Sequence, residues 1–154
     1  MTIQEIQQLK RVEVKRPVDF IFGGKSEFSI WNTNSGTKYD YKISSIKGKD
    51  YFFVHTQING DMLYAGYLRP YNGSFYYNKG KKGILDVNAP QIRGIMYCLS
   101  FGNNPVPLPM CMTHHGKCAK CGRSLKDAVS VERGFGPDCW QTLNAATGYI
   151  GSGW

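Results

Sequence analysis

Residues 114–140, HHGKCAKCGRSLKDAVSVERGFGPDCW, decide how the C-terminal part of this chain folds. Cys118 and Cys121 are separated by two residues, a spacing that lets two thiolates bind one metal ion on a tight turn. Gly122 permits that turn, because a residue without a Cβ tolerates a backbone conformation in which N–H groups point at sulfur. The pattern predicts a zinc knuckle.

A third cysteine, Cys139, stands where a helix should begin. Pro137 suits the first helical position, and Gly136 suits the position before it. Cys139 then falls in the first turn, where free N–H groups and the helix dipole favour a thiolate. The knuckle, a short hairpin and the cysteine on the helix together predict a treble-clef-like zinc module, with Trp140 and Leu143 on the inner face of its helix.

The predicted site needs a fourth ligand, because structural zinc is held tetrahedrally by thiolates and imidazoles. We favour His114 for this position, with His115 and Cys111 as alternates. The odd number of cysteines and the polar start of the chain argue against a disulfide framework and favour a metal site. Three thiolates and one imidazole would fill the coordination shell, so we expect one structural Zn²⁺ ion and no catalytic residues.

The module resembles a small zinc module of unknown function that occurs in bacteriophage and mobile-element proteins. The resemblance lies in the pattern His114-x3-Cys118-x2-Cys121-Gly122-Arg123-x-Leu125, followed by Ser130-x3-Gly134-x-Gly136-Pro137-x-Cys139. In that family the histidine four positions before the first cysteine belongs to the motif, and His114 occupies it, whereas His115 falls on a position that the family does not fix. Residues 22–43 are similar to the β-rich N-terminal region of such phage proteins. The resemblance implies a phage origin and a zinc site, and it implies no activity.

Upstream of the module, short runs of alternating apolar and polar residues are separated by turn signals such as Asn59-Gly60-Asp61 and Asn72-Gly73. Alternation of this kind at hairpin spacing predicts five or six strands in a small antiparallel sheet or partly open barrel. The runs are Glu27–Trp31, Lys38–Ile43, Tyr51–Ile58, Leu63–Leu68 and Phe75–Tyr77.

Two helices are predicted in the same region. Thr2 and Glu5 form a capping-box pattern that predicts a short helix within the first ten residues, and Pro17 prevents this helix from extending further. In the second helix, Asn88 is the predicted N-cap and Pro90 lies in the first turn, with Gln91 completing the capping box. The helix should end at Gly102 and pack on the sheet through one apolar stripe, which consists of Ile92, Ile95, Met96 and Leu99.

These elements predict an α+β protein in two parts. We assign residues 1–102 to a β-rich domain with a short N-terminal helix and one packing helix. Residues 103–110 form a proline-rich linker, and residues 111–154 form the zinc-binding module and a tail. A unit as small as the second needs a metal ion to fold, because apolar burial alone is insufficient at that size.

The charge balance, 19 basic against 11 acidic residues, favours an anionic partner, and nucleic acid is the first candidate. The chain also has ten tyrosines and eight phenylalanines, several of them beside lysines on predicted strands, as in proteins that bind single strands. The tyrosines of the second strand also suit core packing. The candidate nucleic-acid-binding residues are Lys79, Lys81, Lys82, Lys117, Lys120, Arg123, Tyr39 and Tyr41.

Two other classes of function are considered. The chain could be a phage protein that binds and inhibits or redirects a host protein, such as a defence or nuclease complex. An enzyme is least favoured, because there is no glycine-rich phosphate loop, His-Glu-x-x-His motif or nucleophile elbow. No apolar run is long enough to cross a membrane, and the start of the chain has no signal sequence, so we expect a cytoplasmic protein, in the host cell if it is phage-encoded.

Overall fold

A computed structural model describes residues 2–46 and 48–150 of the chain. The structure is α+β, as the sequence predicts. Its elements in chain order are α1 (Ile3–Arg11), α2 (Pro17–Ile21), β1 (Lys25–Asn32), β2 (Lys38–Ser45), β3 (Phe52–Ile58), β4 (Asp61–Tyr71), β5 (Ser74–Asn78), α3 (Pro90–Leu99), β6 (Met110–His114), α4 (Ala128–Arg133) and α5 (Pro137–Ile150). The predicted tail spans residues 148–154; its first three residues belong to α5, and residues 151–154 lie outside the described residues. Among those residues, no helix combines the length and the apolar character needed to cross a bilayer.

The six strands form one antiparallel sheet in the order β5-β4-β3-β2-β1-β6, which curls into a half-barrel. Strands β1 to β5 confirm the five predicted runs. Strand β6 was not predicted, because Pro107 and Pro109 immediately precede it and its pairing partner β1 lies far away in the sequence. It covers the last residue of the predicted linker and the first residues of the predicted zinc module.

Strand β6 joins the C-terminal module to the sheet. Phe28 of β1 pairs with His114, and Ile30 pairs with Met112. The other edge of β6 is covered by residues 12–14, because the Val14 N–H donates to the Met112 carbonyl (2.8 Å) and the His114 N–H donates to the Val12 carbonyl (3.0 Å). The division of the chain into separate folding units stays a prediction, but the two parts are in contact along this strand.

The core lies between the sheet and α3. Strand alternation turns one set of apolar side chains toward the helix, and these are buried together with the predicted helical stripe. The buried members are Phe28, Ile30, Tyr41, Ile43, Val54, Leu68, Ile92, Ile95 and Leu99. Met96, the fourth residue of the stripe, is partly buried against this cluster.

The start of α3 differs from the prediction. Ala89, not Asn88, is its N-cap residue, and no side chain caps the helix. The Asn88 N–H instead donates to the Asp86 side chain (2.8 Å), so a local turn precedes the helix. Gln91 does not complete a capping box, because its side-chain N–H donates to the Gln57 carbonyl of β3 (3.1 Å).

The predicted start of α1 and the predicted end of α3 are confirmed. The Thr2 hydroxyl accepts a hydrogen bond from the Glu5 N–H (3.1 Å), which confirms the capping box of α1. Pro17 lies beyond the end of α1 and begins α2. Helix α3 ends at Leu99, and Gly102 follows in the left-handed conformation (φ 62°) with its N–H donating to the Leu99 carbonyl (3.0 Å).

Tyr41 of β2 links the sheet to α3. Its ring is fully buried and stacks on Phe28, with 5.1 Å between ring centroids. Its hydroxyl donates to the Gln91 carbonyl at 2.9 Å. Gly94 allows this close approach, because a Cβ at that position would lie 3.3 Å from the tyrosine oxygen.

We predict that Tyr41→Phe lowers the free energy of unfolding by about 1 kcal/mol, because it removes a buried hydrogen bond and keeps the ring. Tyr39→Phe is the matched control, since the Tyr39 hydroxyl has no hydrogen-bond partner among the described residues. Urea denaturation of the two variants measures the difference. Equal losses in both would contradict the role of the Tyr41 hydroxyl.

Candidate functional site

Cys118, Cys121 and Cys139 form a cluster in which the three sulfur atoms lie within 4.8 Å of one another. Cys118 is buried, and the other two are partly buried. Thiolate sulfur is a strong ligand for soft and borderline divalent metals. The cluster can therefore hold a metal ion, and the structure brings together all three cysteines that the sequence predicts.

The first two cysteines lie on a tight turn, as predicted. The Gly122 N–H donates to the Cys118 carbonyl (2.9 Å), and Gly122 adopts a φ of 78°, which a side chain would disfavour. The turn closes a short hairpin. The Cys118 N–H donates to the Arg123 carbonyl (2.8 Å), and the backbones of Lys117 and Ser124 form an antiparallel β-bridge.

The third cysteine lies in the first turn of α5. The helix begins at Pro137, and the Trp140 N–H donates to the Gly136 carbonyl (2.8 Å), so both residues occupy their predicted positions. Trp140 and Leu143 pack against the core, which confirms the predicted inner face of this helix.

The thiol pKa values show how strongly the three cysteines interact. Burial raises the pKa of Cys118, but hydrogen bonds from the backbone of Cys121, Gly136 and Lys120 outweigh it and leave that pKa below its ordinary value. Burial and the two neighbouring cysteines raise the pKa of Cys139 to about 12. Three thiolates this close repel one another, so a bound cation would stabilise the ionised cluster.

The structure does not bring His114 into the cluster. Strand pairing places His114 opposite Phe28, and its ring is buried and stacks on Phe20, with 5.8 Å between centroids. Nδ1 accepts a hydrogen bond from the Gly116 N–H (3.0 Å), and Nε2 contacts the Val131 carbonyl. Both ring nitrogens are engaged, so His114 is not supported as the fourth ligand. Burial also lowers its pKa.

Neither predicted alternate joins the cluster. The His115 Nε2 atom lies 2.7 Å from the Ser29 hydroxyl and 3.9 Å from a carboxylate oxygen of Asp40, on β1 and β2. Cys111 is buried in β6 opposite Trp31, and burial raises its pKa to about 11. Among the described residues the cluster thus offers three potential metal ligands, whereas the sequence analysis predicted four.

The two tyrosines that the sequence analysis predicted to bind nucleic acid face the core. Tyr41 is fully buried and Tyr39 is partly buried, because the strand register places them opposite Phe28 and Ile30. Tyr41 is too deeply buried to stack on a base in this fold, so its prediction as a nucleic-acid-binding residue is corrected, whereas that of Tyr39 stays a prediction. The opposite face of β2 carries Lys38 and Lys42, as the alternation of side chains along the strand predicts.

The nominated basic residues fall into two groups. Near the metal cluster, Lys117 contacts Glu27 at 3.0 Å, whereas Lys120 and Arg123 are exposed and have no ion-pair partner among the described residues. The second group follows β5, where an exposed loop, residues 79–82, carries three lysines. We call this segment the lysine loop; its lysines are Lys79, Lys81 and Lys82.

The sheet surface that faces away from α3 carries aromatic side chains that the sequence analysis did not nominate. We call this surface the aromatic face; its rings are Tyr51, Phe53, Tyr64, Tyr67, Tyr71 and Tyr76. Tyr51 and Tyr67 have centroids 5.1 Å apart, and the Arg69 guanidinium lies 5.1 Å from the centre of the Tyr51 ring. Tyr71 and Tyr76 are 59% and 55% exposed.

A β-bulge aligns these rings. The register between β3 and β4 shifts at Val54 and His55, so that His55 pairs with Tyr64 while Phe53 pairs with Tyr67. Simple alternation would place residues 64 and 67 on opposite faces of the sheet, whereas the extra residue of the bulge turns both outward. Gly66, a glycine inside a strand, was the sequence signal that could have indicated this bulge.

The lysine loop lies against the aromatic face. The Gly80 N–H donates to the Asn78 side chain (2.8 Å), and a Cβ at residue 80 would lie 3.3 Å from the Tyr67 ring. Gly83 ends the loop so close to β4 that a Cβ there would lie 2.5 Å from the Ala65 carbonyl oxygen. A groove of about 480 Å³ runs beside the loop and is lined by Tyr67, Arg69, Tyr71, Tyr76, Tyr77 and Asn78.

One protein family matches the chain. It is described as a family of unknown function (DUF6011), and the match covers residues 113–144, a minor part of the chain that includes all three clustered cysteines. No curated protein and no solved structure matches the chain.

We predict that Cys118→Ser or Cys139→Ser abolishes metal binding, because each removes one of the three clustered thiolates. If the loss of the metal lowers the free energy of unfolding by about 3 kcal/mol, Tm should fall by about 10 °C. Elemental analysis and thermal unfolding of the purified full-length protein measure both effects. Cys111→Ala is the control, since it removes a buried thiol outside the cluster; loss of metal from this variant would contradict the assignment.

Proposed function

We propose that this protein binds single-stranded nucleic acid through the aromatic face and the lysine loop, without catalysing a reaction. We further propose that the three clustered cysteines hold a Zn²⁺ ion that stabilises the C-terminal module. The observation that carries the proposal is the groove at β4 and β5, which is lined by exposed tyrosines and an arginine, with Gly80 of the lysine loop next to the Tyr67 ring.

Stacking on the exposed rings is the first component of binding. Each base that stacks on an aromatic side chain contributes about 1–3 kcal/mol, whatever its sequence. Tyr71 and Tyr76 lie on neighbouring strands and line the groove, and each residue is more than half exposed. These rings can accept bases only when the bases are unpaired, which favours a single strand over a duplex.

Attraction to phosphate is the second component. Two lysines of β2 are neutralised locally, since Lys38 contacts Asp40 at 3.7 Å and Lys42 contacts Glu27 at 3.4 Å. The three lysines of the lysine loop form no ion pair with any described residue. Unneutralised positive charge therefore lies beside the exposed rings, where a phosphate backbone would run if bases stacked on them.

The identity of the metal rests on ligand chemistry. Two cysteines on a knuckle and one at a helix start favour zinc, which thiolate-rich sites in reducing compartments commonly hold. The resemblance to phage proteins supports the further proposal that the protein is phage-encoded and acts in the host cytoplasm. No feature of the described residues specifically favours the host-protein hypothesis.

We predict that Tyr71→Ala and Tyr76→Ala each weaken binding of a fluorescent oligonucleotide of about twelve nucleotides by about tenfold, because each removes one stacking platform. Fluorescence anisotropy measures Kd. Tyr97→Ala is the control, because Tyr97 is also exposed (41%) but lies on α3. The assignment of the aromatic face is refuted if all three variants bind as tightly as the original protein.

We also predict that the double variant Lys81→Gln, Lys82→Gln reduces the salt dependence of binding. Each lost phosphate contact lowers the slope of log K against log salt by about 0.7, so the double variant should lose about 1.4. Lys10→Gln with Arg11→Gln, both in α1, makes the same change in net charge and should leave the slope unchanged. Binding by the original protein that does not vary with salt would rule out phosphate contacts.

A further inference from the structure

The groove at β4 and β5 is lined by an arginine whose hydrogen-bond donors are unused within the chain. Arg69 is exposed, and its side chain forms no ion pair or hydrogen bond with any described residue. Its guanidinium lies 5.1 Å from the centre of the Tyr51 ring, a cation–π contact. The planar fork of N–H groups that an arginine carries is therefore available to a ligand in the groove.

The other fixed polar group of the groove is also a donor. The side-chain oxygen of Asn78 accepts the Gly80 N–H at 2.8 Å, which determines the orientation of the amide and leaves its nitrogen without a partner among the described residues. The Tyr77 hydroxyl is engaged with the Ala65 and Leu85 carbonyls. No carboxylate is among the described residues that line the groove, so its hydrogen-bonding character favours a ligand with acceptor atoms.

The donors of Arg69 lie beside the rings on which bases are proposed to stack. Arg69 of β4 pairs directly with Tyr76 of β5, and side chains at paired positions on one face of a sheet are nearest neighbours. Tyr71 is two residues further along β4 and therefore on the same face. A base that stacks on either ring has the guanidinium next to its edge.

The four bases differ in what they present at such an edge. Guanine has two adjacent acceptors, O6 and N7, whose spacing matches two parallel N–H groups of a guanidinium. Adenine has an amino donor next to its N7, so a second N–H group of the arginine would face another donor. Cytosine also has two adjacent acceptors, O2 and N3, but its single ring offers less area for stacking than a purine. The acceptors of thymine are separated by an N–H group.

We propose that the groove at β4 and β5 selects guanine, which stacks on Tyr71 or Tyr76 while Arg69 donates two hydrogen bonds to its O6 and N7 atoms. The inference rests on the single-strand binding proposed above. It adds a base preference to stacking and phosphate contacts, which are themselves tolerant of sequence. A bidentate pair of this kind should favour guanine over another base by about tenfold.

Fluorescence anisotropy with the full-length protein tests the preference. The probes are thymidine oligonucleotides of the length used above, each with one central guanine, adenine or cytosine. We expect the Kd of the guanine oligonucleotide to be about tenfold lower than the Kd of the other two. Equal binding of all three overturns this inference and leaves single-strand binding intact. If none of the three binds, the proposed function and the inference are both refuted.

Two base analogues test which edge of guanine is recognised. In 7-deazaguanine a C–H group replaces N7 while the ring system is retained, so the preference over adenine should disappear. Hypoxanthine keeps O6 and N7 but lacks the exocyclic amino group, so it should bind as tightly as guanine. If 7-deazaguanine binds like guanine and hypoxanthine binds like adenine, the opposite edge of the base is recognised and the inference is wrong.

A variant tests the assignment to Arg69. Arg69→Lys keeps the positive charge and removes the planar fork, so the ratio of the adenine Kd to the guanine Kd should fall from about ten to about one. The ratio is the readout, because general weakening of the site changes both Kd values alike. Arg93→Lys is the matched control, since Arg93 is an exposed arginine on α3. A preference that survives in Arg69→Lys contradicts the assignment.

Discussion

The pairing of β6 with β1 is the contact on which the rest of the structure depends. It connects the metal-binding module to the sheet, and the Lys25 N–H extends the connection by donating to the Ala119 carbonyl inside the knuckle (2.7 Å). Gly23 makes this approach possible, because a Cβ there would lie 2.6 Å from the Ala119 oxygen. The same pairing directs His114 into the core and thereby withholds an imidazole from the three cysteines.

Two surfaces with different chemistry result from this architecture. At the C-terminal module, three thiolates concentrate negative charge that only a cation can offset, and burial of Cys118 increases that need. At the far edge of the sheet, β4 and β5 present exposed rings, and the lysine loop that follows β5 has no acidic partner among the described residues. On the intervening strands β1 and β2, Lys38 pairs with Asp40 and Lys42 pairs with Glu27, so the charge of these two lysines is neutralised locally, unlike that of the lysine loop.

The aromatic face shows why burial and exposure depend on register. Tyr39 and Tyr67 are both tyrosines on strands, yet one is turned toward α3 and the other away from it. The bulge at Val54 and His55 determines this for β4, because one extra residue reverses which side chains face outward from that point on. Composition alone indicated abundant aromatic residues without indicating which of them could reach a ligand.

The sequence by itself determined the features that depend on neighbours within a few residues. The capping box at Thr2, the knuckle turn at Gly122, the start of α5 at Pro137 and the alternation of the first five strands were all predicted, because short-range hydrogen bonds and steric limits decide them. Tertiary structure alone decided the sixth strand, the burial of Tyr41 and the exclusion of His114 from the cluster. All three features depend on which strands pair with each other across the sheet. The residue pattern within one segment does not show which distant strand will pair with it.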